Sequence, residues 1–247
     1  MSGMRGSIIG ILILALTVYA TGSAEAVEPT PELVARQFEA AVYGDDFGTG
    51  RSGLLRWKNP VVMHFGTTDK ATIVRHANDI TNTIDVMAKE TGLTITADIN
   101  PIKANVRVAF LPRSSFGDAA DNVPGRPIST KEAARTSICF GVIYGNSAEG
   151  IITAAAVLIA TDISDSDRRD CIPEELVQMM GLMGDACHYR PSLICEDDEA
   201  VYEMQPADRL MLAVLYDPAL RPGMTKDVAM PIARRLIRER WAEYMAP

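Results

Sequence analysis

The chain has 247 residues, 47% hydrophobic and 23% charged, enough to bury one sizeable core; the composition excludes a disordered chain and a repeat array. Its 24 basic and 32 acidic residues leave a net charge of −8, a surface that repels phosphate backbones, so nucleic acid is excluded as a partner. No P-loop motif and no G-x-S-x-G elbow occurs, which argues against P-loop kinases and serine hydrolases.

Residues 1–26 read as a signal peptide. Arg5 supplies the positive charge, Ile8 to Ala20 an apolar run of thirteen, and Ala24-Glu25-Ala26 a cleavage site before Val27. Thirteen residues fall short of the ~20 that span a bilayer. The expectation is therefore a periplasmic or secreted protein without a stable membrane span, its mature part, 27–247, forming a single domain. Loss of Arg5 and Glu25 together leaves the net charge unchanged.

The mature chain opens with Thr30-Pro31-Glu32, a cap followed by proline at the first helical position, and Leu33, Val34, Phe38, Ala41 and Val42 at helical spacing up to Gly44. Asp45 to Gly53 reads as a glycine-rich loop. Leu54 to Phe65 predicts a first strand, interrupted at Asn59-Pro60 and carrying His64 in a structural role. The longest helical pattern runs from Asp69 to Thr91, with His76 expected on its polar edge and Gly92 as its stop. Strands are expected over Leu93 to Ile99 and Asn105 to Leu111, then a long loop over Pro112 to Thr130. Ser137 to Tyr144 and Ile151 to Thr161 predict a hairpin in the middle of the sheet.

The stretch Asp170-Cys171-Ile172-Pro173-Glu174-Glu175-Leu176-Val177-Gln178-Met179-Met180-Gly181 reads as a central helix, with Pro173 and the two glutamates in its first turn and Gly181 to Gly184 ending it. A helix starting at Pro206 and a last amphipathic helix from Asp227 or Val228 to Met245 close the chain. Arg234, Arg235, Arg238 and Arg240 on that last helix read as a solvated face. The order describes an α+β domain, a mixed sheet packed on a long helix and a central helix.

All four cysteines lie in the second half of the chain, and an even count in an exported protein favours two disulfides. Of the three pairings, Cys139 with Cys171 and Cys187 with Cys195 is favoured: the first ties a strand to the central helix, the second closes a short loop after it. No C-x-x-C spacing supports a zinc site from these four.

The central helix keeps the spacing of the zinc-peptidase signature H-E-x-x-H-x-x-G-x-x-H while losing its histidines. Glu174 and Gln178 stand at the first two ligand positions, four residues apart on one helical face, and Glu175 at the general-base position. The third position falls on Gly184, with Asp185 one residue beyond and His188 a further candidate. Together with Ser192-Leu193-Ile194, Asp208 and Leu215-Tyr216, the stretch from Ile138 to Tyr216 resembles the catalytic half of the metzincin peptidases, with Leu193 or Ile194 where that group has a methionine turn. The version E-E-x-x-Q-x-x-G, followed by Leu215-Tyr216-Asp217-Pro218 and Arg221-Pro222-Gly223-Met224, resembles an uncharacterised exported proteobacterial family grouped with the zincin-like peptidases. That resemblance implies a zincin-like fold more firmly than a reaction.

A carboxylate and an amide in place of two imidazoles suit calcium or magnesium better than zinc, so a conventional zinc peptidase is not expected. Three readings follow. Glu175 serves as general base of an altered hydrolase in which Glu174, Gln178 and Asp185 or His188 hold another divalent cation. Alternatively the fold is kept without the metal as a pseudoenzyme whose cleft binds a peptide or envelope component. In the third, the three polar residues cap the helix and hydrogen-bond the preceding loop, with Arg168 or Arg169 neutralising the glutamates. Glycoside hydrolysis ranks lower: Glu174 and Glu175 project about 100° apart, and with 6% aromatic residues no sugar platform is in view.

Overall fold

The computed structural model describes residues 27–44, 53–67, 69–121, 136–146, 148–195 and 200–246. The signal peptide expected over 1–26, most of the loop expected over 45–53, and residues 122–130 of the loop expected over 112–130 lie outside them. Among the described residues no helix is long and apolar enough to cross a membrane.

Pro31–Tyr43 forms α1; Thr30 Oγ1 accepts from the Leu33 N–H at 3.2 Å, and Gly44 closes the helix. The first expected strand is two strands. Pro60 has no N–H to give to a ladder, and the chain changes neighbours across it: Arg56–Trp57 (β1) and Val61–Thr67 (β2) join different partners. The long helix is also divided, into Lys70–Arg75 (α2) and Ala77–Thr91 (α3), with Asp69 capping the first and left-handed Gly92 ending the second. His76 sits at the break and is buried, not on a polar edge; its ring lies between the Asp79 carboxylate, 3.3 Å from Nδ1, and Arg168 Nη1, 3.4 Å from Nε2.

Ile95–Ala97 (β3) and Val106–Leu111 (β4) follow. His64 lies in β2, its Nδ1 3.2 Å from the Asp98 carbonyl. The start of the expected long loop is ordered: Arg113–Ser115 is a 3-10 turn leading into Phe116–Asp121 (α4). Cys139–Asn146 (β5) and Ile151–Ala160 (β6) make the expected hairpin. The sheet runs β3, β2, β4, β6 in parallel; β1 pairs with the first residues of β6, and β5 runs antiparallel along the whole of β6. The hairpin is therefore not central: among the described residues β6 is interior and β5 forms an edge.

Side chains alternate along the strands and divide two cores. Val157 and Ile159 of β6 join the main core with Val106, Val108 and Phe110, whereas Leu158 and Ala160 face Phe116 and Phe140 in a smaller cluster. The main core is completed by helices α1 and α3, together with Asp165–Gln178 (α5), Pro206–Leu215 (α6) and Lys226–Met245 (α7).

Helix α5 starts earlier than the proline suggests. Ser164 Oγ accepts from the Asp167 N–H at 3.0 Å, which puts Pro173 in the interior and Glu174 and Glu175 near the end of the helix, where its dipole disfavours negative charge. Arg168, only 4% exposed, fastens the link from β6 to α5: Nε donates to Ala160 O at 3.1 Å, Nη2 to Thr161 O and Ile163 O at 2.9 Å each, and Nη1 to Asp165 Oδ1 at 2.6 Å. Several acceptors around one guanidinium are what make its burial tolerable. Arg169 bonds Asp79 and stacks on the Tyr202 ring. Neither arginine is placed to neutralise the glutamates.

Both expected disulfides, Cys139–Cys171 and Cys187–Cys195, are formed, which fits a protein that matures in an oxidising compartment. On α7, Arg234 pairs with Glu39 of α1 and Arg240 with Asp217, so part of the basic face fastens the helix to its neighbours. After α5 the chain is held from beneath by polar groups. Asp208, fully buried in α6, accepts from Tyr189 Oη at 2.8 Å, Ser192 Oγ at 2.7 Å, the Leu193 N–H at 3.0 Å and the Gln205 N–H at 3.1 Å. Asp208→Ala would leave these donors facing a void, and should lower stability by about 3 kcal/mol in urea unfolding; a loss below about 1 kcal/mol would contradict this role.

Candidate functional site

A cavity of about 480 Å³ lies between β5 and α5. Asp170, Cys171, Glu174, Glu175 and Gln178 line it from the helix, residues 138–143 from the edge strand, and Met183 and Asp185 from the segment after the helix. The helical pitch brings residues 170, 171, 174, 175 and 178 to one face. The hydrogen bonds that the Met183 and Gly184 N–H groups give to Ala41 O, at 2.8 and 3.0 Å, hold the next segment so that Asp185 follows. Gly181 makes that path open: its φ is +112°, and a Cβ there would stand 2.3 Å from the Leu55 carbonyl oxygen.

The residues at the expected ligand positions therefore share one cavity. They engage each other: Gln178 Nε2 donates to Asp185 Oδ1 at 2.7 Å and lies 3.5 Å from Glu174 Oε1. His188 does not join them. It is exposed, and its backbone N–H donates to Gln37 Oε1 at 2.8 Å. Gln37, buried in α1, also donates to the Ala186 carbonyl and so holds the second disulfide loop in place.

The zinc that the metzincin resemblance implies does not fit these residues. Gln178 turns its amide nitrogen toward the carboxylates, and among the described residues no three His, Cys, Asp or Glu side chains are grouped to hold a metal ion.

Glu175 stands apart. It is 5% exposed, and its Oε2 has no hydrogen-bond partner among the described residues. Burial, and then the neighbouring Asp185 charge, push its carboxyl from 4.5 up to about 8. The room it occupies comes from Gly141 of β5: a Cβ at residue 141 would stand 2.6 Å from Glu175 Oε2. Gly141 carries its own signal of a close approach, as a glycine inside a β-branched run. Asp170, which the sequence singles out only as the start of the central helix, also lines the cavity, its Oδ1 accepting from the Val201 N–H at 2.7 Å.

The family model described as "Protein of unknown function (DUF2927)" matches residues 31–235. The chain belongs to this family. The match runs from the start of α1 into α7 and takes in Glu174, Glu175, Gln178 and Asp185. No curated protein matches the chain.

Between pH 4.5 and about 8 the folded chain retains a proton on Glu175 that the unfolded chain has lost. Stability from this group is thus fully present below 4.5 and is lost as pH rises toward 8. Glu175→Gln, neutral and of the same shape, should remove on the order of 4 kcal/mol of that decline between pH 5 and 8. Urea unfolding of both proteins at the two pH values checks it; parallel profiles would contradict the assignment.

Proposed function

We propose that the protein is an exported, non-catalytic binding protein on a zincin-like fold, a pseudoenzyme whose cleft takes an extended peptide or another envelope component. A mixed sheet over the long α3, and the E-E-x-x-Q-x-x-G segment on α5 beneath an edge strand, support the zincin-like assignment. The formed disulfides support export.

The observation that carries the binding reading is the position of β5 along the cavity. Its strand partner among the described residues is β6, and the Ala160 N–H donates to Ile138 O at 2.9 Å. Alternation then directs the backbone groups of residues 138, 140 and 142 to β6 and those of Cys139, Gly141 and Ile143 toward the cavity. An extended segment can add there as a further strand, its side chains falling alternately into the cavity and outward. The hydrogen bond between Gln178 and Asp185 supports a site that binds without a metal.

One observation favours a second reading, a hydrolase with Glu175 as general base. A buried carboxyl facing a cavity, with proton affinity near neutrality, is what a general base needs. Such an enzyme would work with a hard divalent cation and not with zinc.

Residues 27–247, offered a displayed random peptide library, should select extended peptides that bind unchanged. Gly141→Val, whose side chain would displace the Glu175 carboxyl into the cavity, should weaken them at least 10-fold, and Ile99→Ser on an exposed turn should not. Selection of nothing, or peptides indifferent to Gly141→Val, would contradict the binding reading. Stoichiometric metal in protein purified without chelators, with cleavage of the peptides, would favour the hydrolase.

A further inference from the structure

Resting on the binding reading above, the geometry points to the chemical group the cavity takes: we propose an alkylammonium, as on a lysine side chain of the bound segment, seated against the Glu175 carboxylate. Three observations carry this.

The first is the orphan oxygen. Glu175 Oε2 is buried, lines the cavity and has no hydrogen-bond donor among the described residues. A buried carboxyl oxygen without a donor costs free energy that an incoming N–H recovers.

The second is the sign of the surroundings. Asp170 and Glu174 face the cavity from α5 and Asp185 from the following segment. β5 contributes no charged side chain, and no Lys, Arg or His is among the described lining residues. A neutral donor would satisfy Oε2 alone, whereas a cation offsets both the burial of Glu175 and its repulsion from Asp185.

The third is shape. The cavity is far larger than a bare ion needs, and Ile138, Val142, Met179 and Met183 line it beside the acids. Apolar walls leading to a carboxyl suit a cation on a methylene stem. Gly141 keeps that carboxyl reachable, because any side chain there would press on Oε2.

The ammonium needs the ionised carboxylate. Its arrival therefore releases the Glu175 proton to solvent, and the ion pair that forms is neutral overall.

The test titrates the mature protein with N-acetyl-lysine methylamide, its Nε-acetylated counterpart, the norleucine analogue, 1,4-diaminobutane, and calcium or magnesium alone. Binding is followed by the amide resonances of Gly141 and Gln178 and by calorimetry in two buffers of different ionisation enthalpy. The lysine probe should bind with release of a proton at pH 7. Nε-acetylation, norleucine and Glu175→Gln should each weaken binding at least 10-fold. Preference for the lysine probe over the diamine assigns the ammonium to a peptide side chain; the reverse assigns it to a free amine, and both support the ammonium.

Equal binding of the neutral probes, or undiminished binding to Glu175→Gln, would overturn the proposal. So would binding of calcium or magnesium that Glu175→Gln abolishes while no amine binds. Selected peptides that depend on Gly141 but bind equally after lysine acetylation would overturn the ammonium and leave the cleft reading standing. Absence of any Gly141-dependent peptide would remove the cleft reading itself.

Discussion

The site depends on how closely an edge strand can approach a helix. β5 comes down on α5 where Gly141 has no side chain, and the carboxyl of Glu175 takes the space that a Cβ would need. The Cys139–Cys171 disulfide joins the same two elements two residues before Gly141 and one helical turn before Glu175. A glycine and a covalent link thus fix a distance that ordinary packing of a strand on a helix would not hold. The consequence is electrostatic: a carboxyl enclosed between the two elements, beside Asp185 and near the end of its helix, gives up its proton only near pH 8.

Around this contact the protein uses buried polar groups as fasteners. Arg168 gathers the carbonyls between β6 and α5, Gln37 holds the loop closed by Cys187–Cys195, and Asp208 gathers donors from residues 189 to 205. Tyr216 joins β1 to the end of α5, its hydroxyl accepting from the Trp57 N–H at 3.1 Å and donating to Met180 O at 2.9 Å. Each of these groups is matched by partners, which is the usual condition for burial. Glu175 Oε2 departs from that pattern and lies in the cavity, and for that reason the functional reading is built on it.

Much of the architecture was legible in the residues. Helix caps at Thr30 and Gly92, the order of strands and helices, and both disulfide pairings follow from local chemistry and sequence spacing. The sharing of one cavity by Glu174, Gln178 and Asp185 followed from the motif's spacing combined with the turn at Gly181. What was misread has a common cause, tertiary contacts overriding a local signal. Pro173 marks a first helical turn in isolation, but Ser164 caps the helix earlier and the interior tolerates the proline. His76 looked like a polar-edge residue because the periodicity runs through it, whereas Asp79 and Arg168 draw it inward and the helix divides there. Arg168 and Arg169 looked like partners for the glutamates because they precede them in sequence; on the helix they are turned to β6 and α3 instead. Gly141 carried a local signal, but what it makes room for lies 34 residues further along the chain.

The central claim is that Glu175 remains protonated at neutral pH in the empty cavity. Carbon-detected NMR of glutamate-labelled protein, titrated from pH 4 to 9, reads it directly. The account predicts one glutamate carboxyl titrating near 8 and missing from Glu175→Gln. Every glutamate carboxyl titrating in the ordinary range around 4.3 would contradict it.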